Sequence, residues 1–548
     1  MIRNKKISIY GALVLAALAS CTKLDENLKG TLTNPQVSSA LGANGTQLLL
    51  QAAYTDLTLY SSDIGQIFNL QENSTDESLV PTRGGDWDDN GAWRVMHNHT
   101  WNADLGSILN TFNSLNKLNF DATNVLAFNP TPAQAAQARF LRALSLYELL
   151  NLFGQYPFRN PGDNLLNAPT VKHGAEAAQF IIDELNAILP DLGPGGNAHM
   201  TIANADAAKT LLMKCYLNKG AFINPASPTF DAGDMQQVIS LGNSIINSGA
   251  YSYMSEYFDN FSVTNKNSTE GILAYPNTTG VSAGNSGIND RWYATLHYNQ
   301  YTPNNPNAGW NGFSSVADFY NSFGVTTPLD AQHPKGSDTA VDKRLGGRFY
   351  PGVTDQSGQR PGLMIGQQYN ENGVALKDRK GNPLSFDPNI AANMIETGPN
   401  LEVTGIRVEK YPPDLSTGKA SYSGPSGNWL MIFRYADVVL MVAEAQMRTG
   451  DDASALVLIN ALRTARGAAT VASMPLVNTA NVSDPKTLLA ERSREFYWEG
   501  LRRTDLIRFG MFLKPWAYKP SDDPKYLLYP IPNQALAANP NLTQNTGY

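Results

Sequence analysis

The chain has 548 residues, with 41 Lys+Arg against 48 Asp+Glu, a formal net charge of −7 and only two cysteines. A net acidic chain has no electrostatic case for binding nucleic acid or an anionic membrane surface. Charged residues are sparse at 16% while Asn, Gly, Pro, Tyr and Trp are plentiful, so the surface is built from neutral polar and aromatic groups, which suits neutral polyhydroxylated ligands.

At the start of the chain, Arg3, Lys5 and Lys6 precede an apolar stretch over 7–19, shorter than the ~20 residues of a spanning helix. Leu18-Ala19-Ser20-Cys21 closes it in the pattern of a bacterial lipoprotein cleavage site. Residues 1–20 therefore read as a signal peptide, and Cys21 as the acylated first residue of the mature protein. Several acyl chains on one cysteine hold a protein on a membrane stably. Loss of the leader removes three basic residues and moves the formal charge from −7 to −10. Only Cys215 then remains, which excludes an intrachain disulfide. It lies in the helical run 208–216, where a lone Cys serves as a small buried hydrophobe. Beyond the leader no apolar run reaches ~18 residues, so no transmembrane helix is expected.

Residues 21–33, polar after the cysteine, read as a tether, and 34–548 as one composite domain. Helical periodicity begins near Gln47 and returns at 133–154, where Leu146, Leu149, Leu150 and Phe153 form one stripe. Thr131-Pro132 starts that helix and Gly154 stops it. A partner is expected at 175–189, ended by Pro190. Two more pairs follow, 204–220 with 234–248 and 433–449 with 452–466, the last split at Gly450-Asp451. Helical pairs of ~34 residues with small residues at close contacts are the tetratricopeptide pattern. The expected fold class is mainly α: a scaffold of tetratricopeptide-like helical pairs with long loop-rich insertions and a few short strands. The largest insertion, about 250–432, is rich in Asn, Gly, Pro, Ser and aromatics, and loops of that length are usually functional.

Two aromatic clusters carry the binding signal. Trp87, Trp93 and Trp101 fall within fifteen residues, on a stretch broken by Gly84, Gly85 and Gly91; Trp101 precedes a helix and reads as an anchor. The second cluster holds Trp292, Tyr293, His297, Tyr298, Tyr301, Trp310 and Phe313. A sugar ring has an apolar C–H face on which an aromatic plane can stack while polar neighbours fix the hydroxyls. Trp87, Trp93, Trp292, Tyr298 and Trp310 are the expected stacking residues, with Arg83 and Asp86 as hydrogen-bonding partners.

Catalytic and metal readings are weaker. Glu491, Glu495 and Glu499 would form one stripe of a helix over 488–509, as an acid–nucleophile pair requires. Arg492, Arg494, Arg502, Arg503 and Arg508 crowd the same segment, however, and Arg partners lower carboxylate pKa values where a general acid needs a raised one. Glu499 is spaced for intrahelical pairs with Arg502 and Arg503. A structural charge network is expected, with no catalytic residue. His97-Asn98-His99 near Asp86, Asp88 and Asp89 lacks the ligand spacing of a zinc or calcium site, so no metal and no cofactor is expected.

Six segments together resemble the SusD/RagB family of outer-membrane nutrient-binding lipoproteins. They are the leader; Asn73-Ser74-Thr75-Asp76-Glu77 with Pro81-Thr82-Arg83-Gly84-Gly85-Asp86-Trp87; Ala138-Arg139-Phe140-Leu141-Arg142-Ala143 running to Leu152-Phe153-Gly154-Gln155-Tyr156-Pro157; Phe433-Arg434-Tyr435-Ala436-Asp437-Val438; Glu499-Gly500-Leu501-Arg502-Arg503-Thr504-Asp505; and Leu528-Tyr529-Pro530-Ile531-Pro532. The resemblance covers essentially the whole chain. It implies an α-helical fold with four tetratricopeptide-like pairs, cell-surface exposure on the outer membrane and no catalytic role. It also implies a TonB-dependent transporter as partner and an oligosaccharide or polysaccharide ligand held by loops of the two aromatic regions. The sequence thus reads as a glycan-capturing lipoprotein. A peptide ligand on the same fold is the alternative, and a surface glycoside hydrolase and a ligand-free docking scaffold are the remaining rivals.

Overall fold

The computed structural model describes residues 44–61, 64–278, 287–300, 309–324, 342–346, 361–369, 374–412, 414 and 426–548. Cys21, the leader, the tether and Tyr301 lie outside them. Of two compact units, 1–45 and 46–548, the second holds the elements described, apart from the first residue of the helix Gly45–Thr55.

Seven helices form a series in which each packs on the next: Gly106–Leu126, Pro132–Phe153, Gly174–Ile188, Ala205–Ile223, Ala232–Ile246, Tyr435–Arg448 and Asp452–Ala465. Their ends follow local chemistry. Thr131 accepts from the backbone N–H of Gln134 while the Gln134 side chain returns to the Thr131 backbone, a capping box with Pro132 at the first helical position. Gly154 ends that helix at φ 70, and a Cβ there would sit 2.7 Å from Leu528, so the stop also makes room for the C-terminal segment. Asn204, Asp231 and Asp451 cap the starts of Ala205–Ile223, Ala232–Ile246 and Asp452–Ala465.

The helix that Trp101 precedes, Gly106–Leu126, is the main partner of Pro132–Phe153. It contains five Asn, yet Ile108, Phe112, Leu115, Ala122 and Val125 are buried along one face. Trp101 is an anchor, 3% exposed, with Nε1 donating to the Tyr548 hydroxyl at 2.7 Å. Cys215 is buried in its helix, and burial pushes its thiol well up.

The insertion leaves the scaffold after Ile246 and returns through an antiparallel pair, Gly271–Tyr275 with Leu430–Arg434. Within it the described residues form short helices and two-stranded sheets only, such as Gly362–Met364 with Arg407–Glu409. It has its own core, in which Phe68, Tyr257, Phe313, Val408 and Trp498 are buried, separate from the scaffold's core of Leu and Ala residues.

The C-terminal segment corrects one expectation. There is no helix through 488–509. It breaks into Leu488–Phe496 and Arg502–Arg508, with Trp498 at φ 59 and Gly500 at φ 78. Glu499 therefore does not pair with Arg502 and Arg503. It pairs with Arg434 and Lys410, each at 2.7 Å, while Arg502 binds Asp76 and Arg503 bonds the Leu527 carbonyl. The charge network itself is present: Arg466 binds Glu270 and Glu495, and Arg344 binds Glu491. Burial alone would raise the Glu495 carboxyl, but Arg466 and Arg434 outweigh it and hold it down at about 2.

Candidate functional site

A tight turn builds the first half of the site. The backbone N–H of Arg83 donates to the Asp86 carbonyl at 2.9 Å, and the reverse bond is 3.1 Å. Left-handed residues follow, Trp87, Asp89, Asn90 and Gly91, and turn the loop so that Trp87 and Trp93 meet edge to face, ring centroids 5.2 Å apart. The second half comes from the insertion. Trp310 stacks on Tyr293 at 5.5 Å, and Tyr293 stacks on Trp292 at 3.8 Å.

The halves join across more than two hundred residues of sequence. Trp87 Nε1 donates to the Trp310 carbonyl at 2.7 Å, and the two rings are 6.4 Å apart. Phe313 packs beneath both Trp87 and Trp93. A Cβ on Gly312 would lie 2.2 Å from the Trp87 ring, so only glycine lets the indole lie against this segment.

Trp87, Trp93, Trp310 and Tyr298 are half-buried and Asp86 is exposed, so five of the expected residues gather at one surface. The Tyr298 hydroxyl donates to Asp86. Two expected residues lie behind that surface. Trp292 is 1% exposed and part of a small core with Leu384 and Phe386. Arg83 is 2% exposed and spends its guanidinium on the Thr404 carbonyl at 2.7 Å, Thr404 Oγ1 at 3.0 Å and Ser314 Oγ at 3.2 Å. It pins the platform's underside. Burial lowers its pKa to about 10.

Arg379 and Glu402, outside both aromatic clusters, join His297 of the second cluster beside the platform. Arg379, its side chain 47% exposed, lies 3.7 Å above the Tyr298 ring centre. Its Nε donates to Glu402 at 2.7 Å. Glu402 also takes His297 Nε2 at 3.0 Å, and because the backbone N–H of Asn299 donates to His297 Nδ1, the ring proton sits on Nε2. Burial, with Arg407 adding, lowers His297 to about 4 and keeps it neutral. The only signal in the sequence was the basic run Lys377-Asp378-Arg379-Lys380 in an otherwise acidic chain. His97 and His99 serve elsewhere: their ring nitrogens meet the Ser78 and Ala517 carbonyls, and the Ser74 carbonyl with Asp522.

The surface therefore offers aromatic faces with a carboxylate and a guanidinium fixed at one end, an arrangement for stacking and orienting a ligand. The Glu491 and Glu495 carboxyls are held low by arginines, the opposite of what a general acid requires.

A sequence model described as the SusD family matches residues 269–548, just over half of the chain. The chain belongs to the SusD family. Proteins of this family are carbohydrate-binding and not catalytic, and its members are outer-membrane surface lipoproteins. The starch-binding protein SusD of Bacteroides thetaiotaomicron is 26% identical over 511 residues, covering 88% of this chain and 85% of that protein. Among solved structures, a laminarin-binding SusD-like protein superimposes with TM-score 0.65 at 19% identity, covering 92% of this chain and all of that one. Surface glycan-binding protein A from Bacteroides thetaiotaomicron, in complex with laminarihexaose, superimposes with TM-score 0.62 at 16% identity, over 92% of this chain and 99% of that one. These superpositions establish the SusD fold. Among the described residues no helix is long and apolar enough to cross a membrane.

Proposed function

We propose that this SusD-family protein is a cell-surface lipoprotein, anchored through Cys21, that captures an oligosaccharide or polysaccharide and passes it to a partner TonB-dependent outer-membrane transporter. The observation that carries the reading is the junction of Trp87 with Trp310, which makes two distant aromatic clusters one platform. Trp87, Trp93 and Trp310 supply stacking faces, while Asp86, Tyr298 and Arg379 supply the polar contacts. Binding by stacking and a few hydrogen bonds favours a chain shape over any single sugar. Starch binding and laminarin binding in the relatives make glucans the first polysaccharides to try.

Calorimetric titration of the soluble protein against plant, host and microbial polysaccharides tests this. One polysaccharide class should bind, and Trp310→Ala should weaken it tenfold or more, about 1.4 kcal/mol. Unchanged affinity in both Trp87→Ala and Trp310→Ala would refute the platform, and competition by peptide but not by oligosaccharide would transfer the site to peptides.

A further inference from the structure

A second hollow lies inside the molecule, between the scaffold core and the core under the platform. Tyr147, Leu217 and Met441 wall it on the scaffold side, and Phe68, Tyr411 and Trp498 on the other. Its volume is about 70 Å³, about half of the ~150 Å³ cavity that takes a benzene ring. That is room for a few waters or for one small polyol.

Three buried polar atoms on its walls have no partner: Gln71 Oε1, Arg492 Nη1 and Trp498 Nε1. Each belongs to a side chain no more than 3% exposed. Unpaired buried groups are rare in folded proteins and point to an unseen partner. Two of these are donors and one is an acceptor, so the partner must both accept and donate, as a hydroxyl does.

Most charges on the walls are paired, and the buried Arg291 guanidinium lies over the Phe68 ring at 3.5 Å. Lys214 binds Asp437 at 2.5 Å, Arg492 binds Asp437 and Asp505, Arg508 binds Glu444 and Asp505, and Glu499 binds Arg434. Glu148 remains, held by the neutral groups of Tyr60 and Gln71 at 3.4 and 3.3 Å. Burial raises its carboxyl to about 7, which lets it donate as well as accept. Aromatic walls, a few convergent polar groups and a carboxyl of raised pKa are the ordinary make-up of a small-molecule site.

We propose that this cavity is a second ligand site, separate from the platform, that takes one small neutral hydroxylated molecule of about glycerol's size. The aromatic walls meet its C–H faces, while Gln71, Arg492 and Trp498 meet its hydroxyls.

The test is thermal unfolding and saturation-transfer NMR of the full-length protein titrated with glycerol and with D-glucose. A saturable rise in Tm is expected with glycerol, and none with D-glucose, the oversized control. Gln71→Met, close to isosteric, should weaken the glycerol effect at least tenfold, as should the cavity-filling Leu217→Phe, both with polysaccharide binding unchanged. Trp310→Ala should lose polysaccharide but keep the small-molecule effect. No saturable effect from glycerol, with only ordered waters in a high-resolution crystal structure, overturns the proposal. Loss of the small-molecule effect in Trp310→Ala also overturns it, because binding would then belong to the platform.

Discussion

The scaffold and the platform are held by opposite means. Scaffold helices bury apolar stripes against neighbours close in sequence, and their ends are set by caps within a few residues. The platform is held by long-range polar ties: Trp87 to the Trp310 carbonyl, Arg83 to Thr404 and Ser314, Tyr298 to Asp86. Between the two, the arginine–glutamate network joins the insertion to the C-terminal helices, with Glu270 and Glu495 sharing Arg434 and Arg466. A non-directional force suffices to build a helical frame. A binding surface made from distant loops needs directed bonds that specify one arrangement.

That contrast breaks most sharply at the joint. Arg466→Met leaves Glu270 with Arg434 alone and takes from Glu495 its 2.7 Å partner, so unfolding free energy should fall by about 3–5 kcal/mol, read from the denaturant midpoint. An unchanged midpoint would mean the network is dispensable.

Next in size is an opposed pH response, up to roughly 3 kcal/mol at 1.36 kcal/mol for each pKa unit. Arg466 and Arg434 hold Glu495 at about 2, so its contribution is present above pH 4.5 and is lost as pH falls toward 2. The deficit of Glu495→Gln against wild type should shrink over that window. Glu148 is raised by burial to about 7. The folded state then binds the extra proton, and stability from this group falls as pH rises from about 4.5 to 7. Glu148→Gln should therefore gain on wild type across that range and run parallel to it above. Denaturant titrations at several pH values read both slopes, and slopes of the same sign would refute the assignment.

Gly312→Ala sharpens the comparison from the platform side. Its methyl group displaces the Trp87 ring, so glycan affinity should drop about tenfold while the scaffold's helical circular dichroism stays unchanged. The smallest effect belongs to local scaffold chemistry. Thr131→Ala removes one cap and should cost about 1 kcal/mol, with glycan affinity untouched in titration.

How much was legible in advance follows the same division. The helix start at Thr131 is visible because a cap and the stripe it precedes lie within one turn, whereas the caps Asn204 and Asp231 emerged only with the structure. The membership of Trp87, Trp93, Trp310, Tyr298 and Asp86 in one surface was legible as composition, aromatic residues among glycines and asparagines. Which of the aromatics would face outward was not, because Trp292 and Trp310 flank the same Tyr293 and only one of them keeps exposure. Arg83 looked like a ligand contact because its partners, Ser314 and Thr404, lie hundreds of residues away. The helix expected through 488–509 fails for a related reason. Glu499 and Arg502 find their partners in Lys410, Arg434 and Asp76 rather than in one another, and the chain breaks at Tyr497–Leu501 between them.

By itself, then, the sequence determined the helical class, the helix start at Thr131, the placement of Cys215 in a buried helix and the two stretches from which a platform could be made. These depend on periodicity and on contacts within a turn or two, which are written locally. The tertiary structure alone decided that Trp87 meets Trp310, that Arg379 lies over Tyr298, that Trp292 and Arg83 stand behind the surface, and that Glu499 leaves its helix for Arg434. Each of those depends on hydrogen bonds, stacking and charge pairing between residues brought together only when the insertion folds back onto the scaffold, and no local pattern encodes which distant partner will be there.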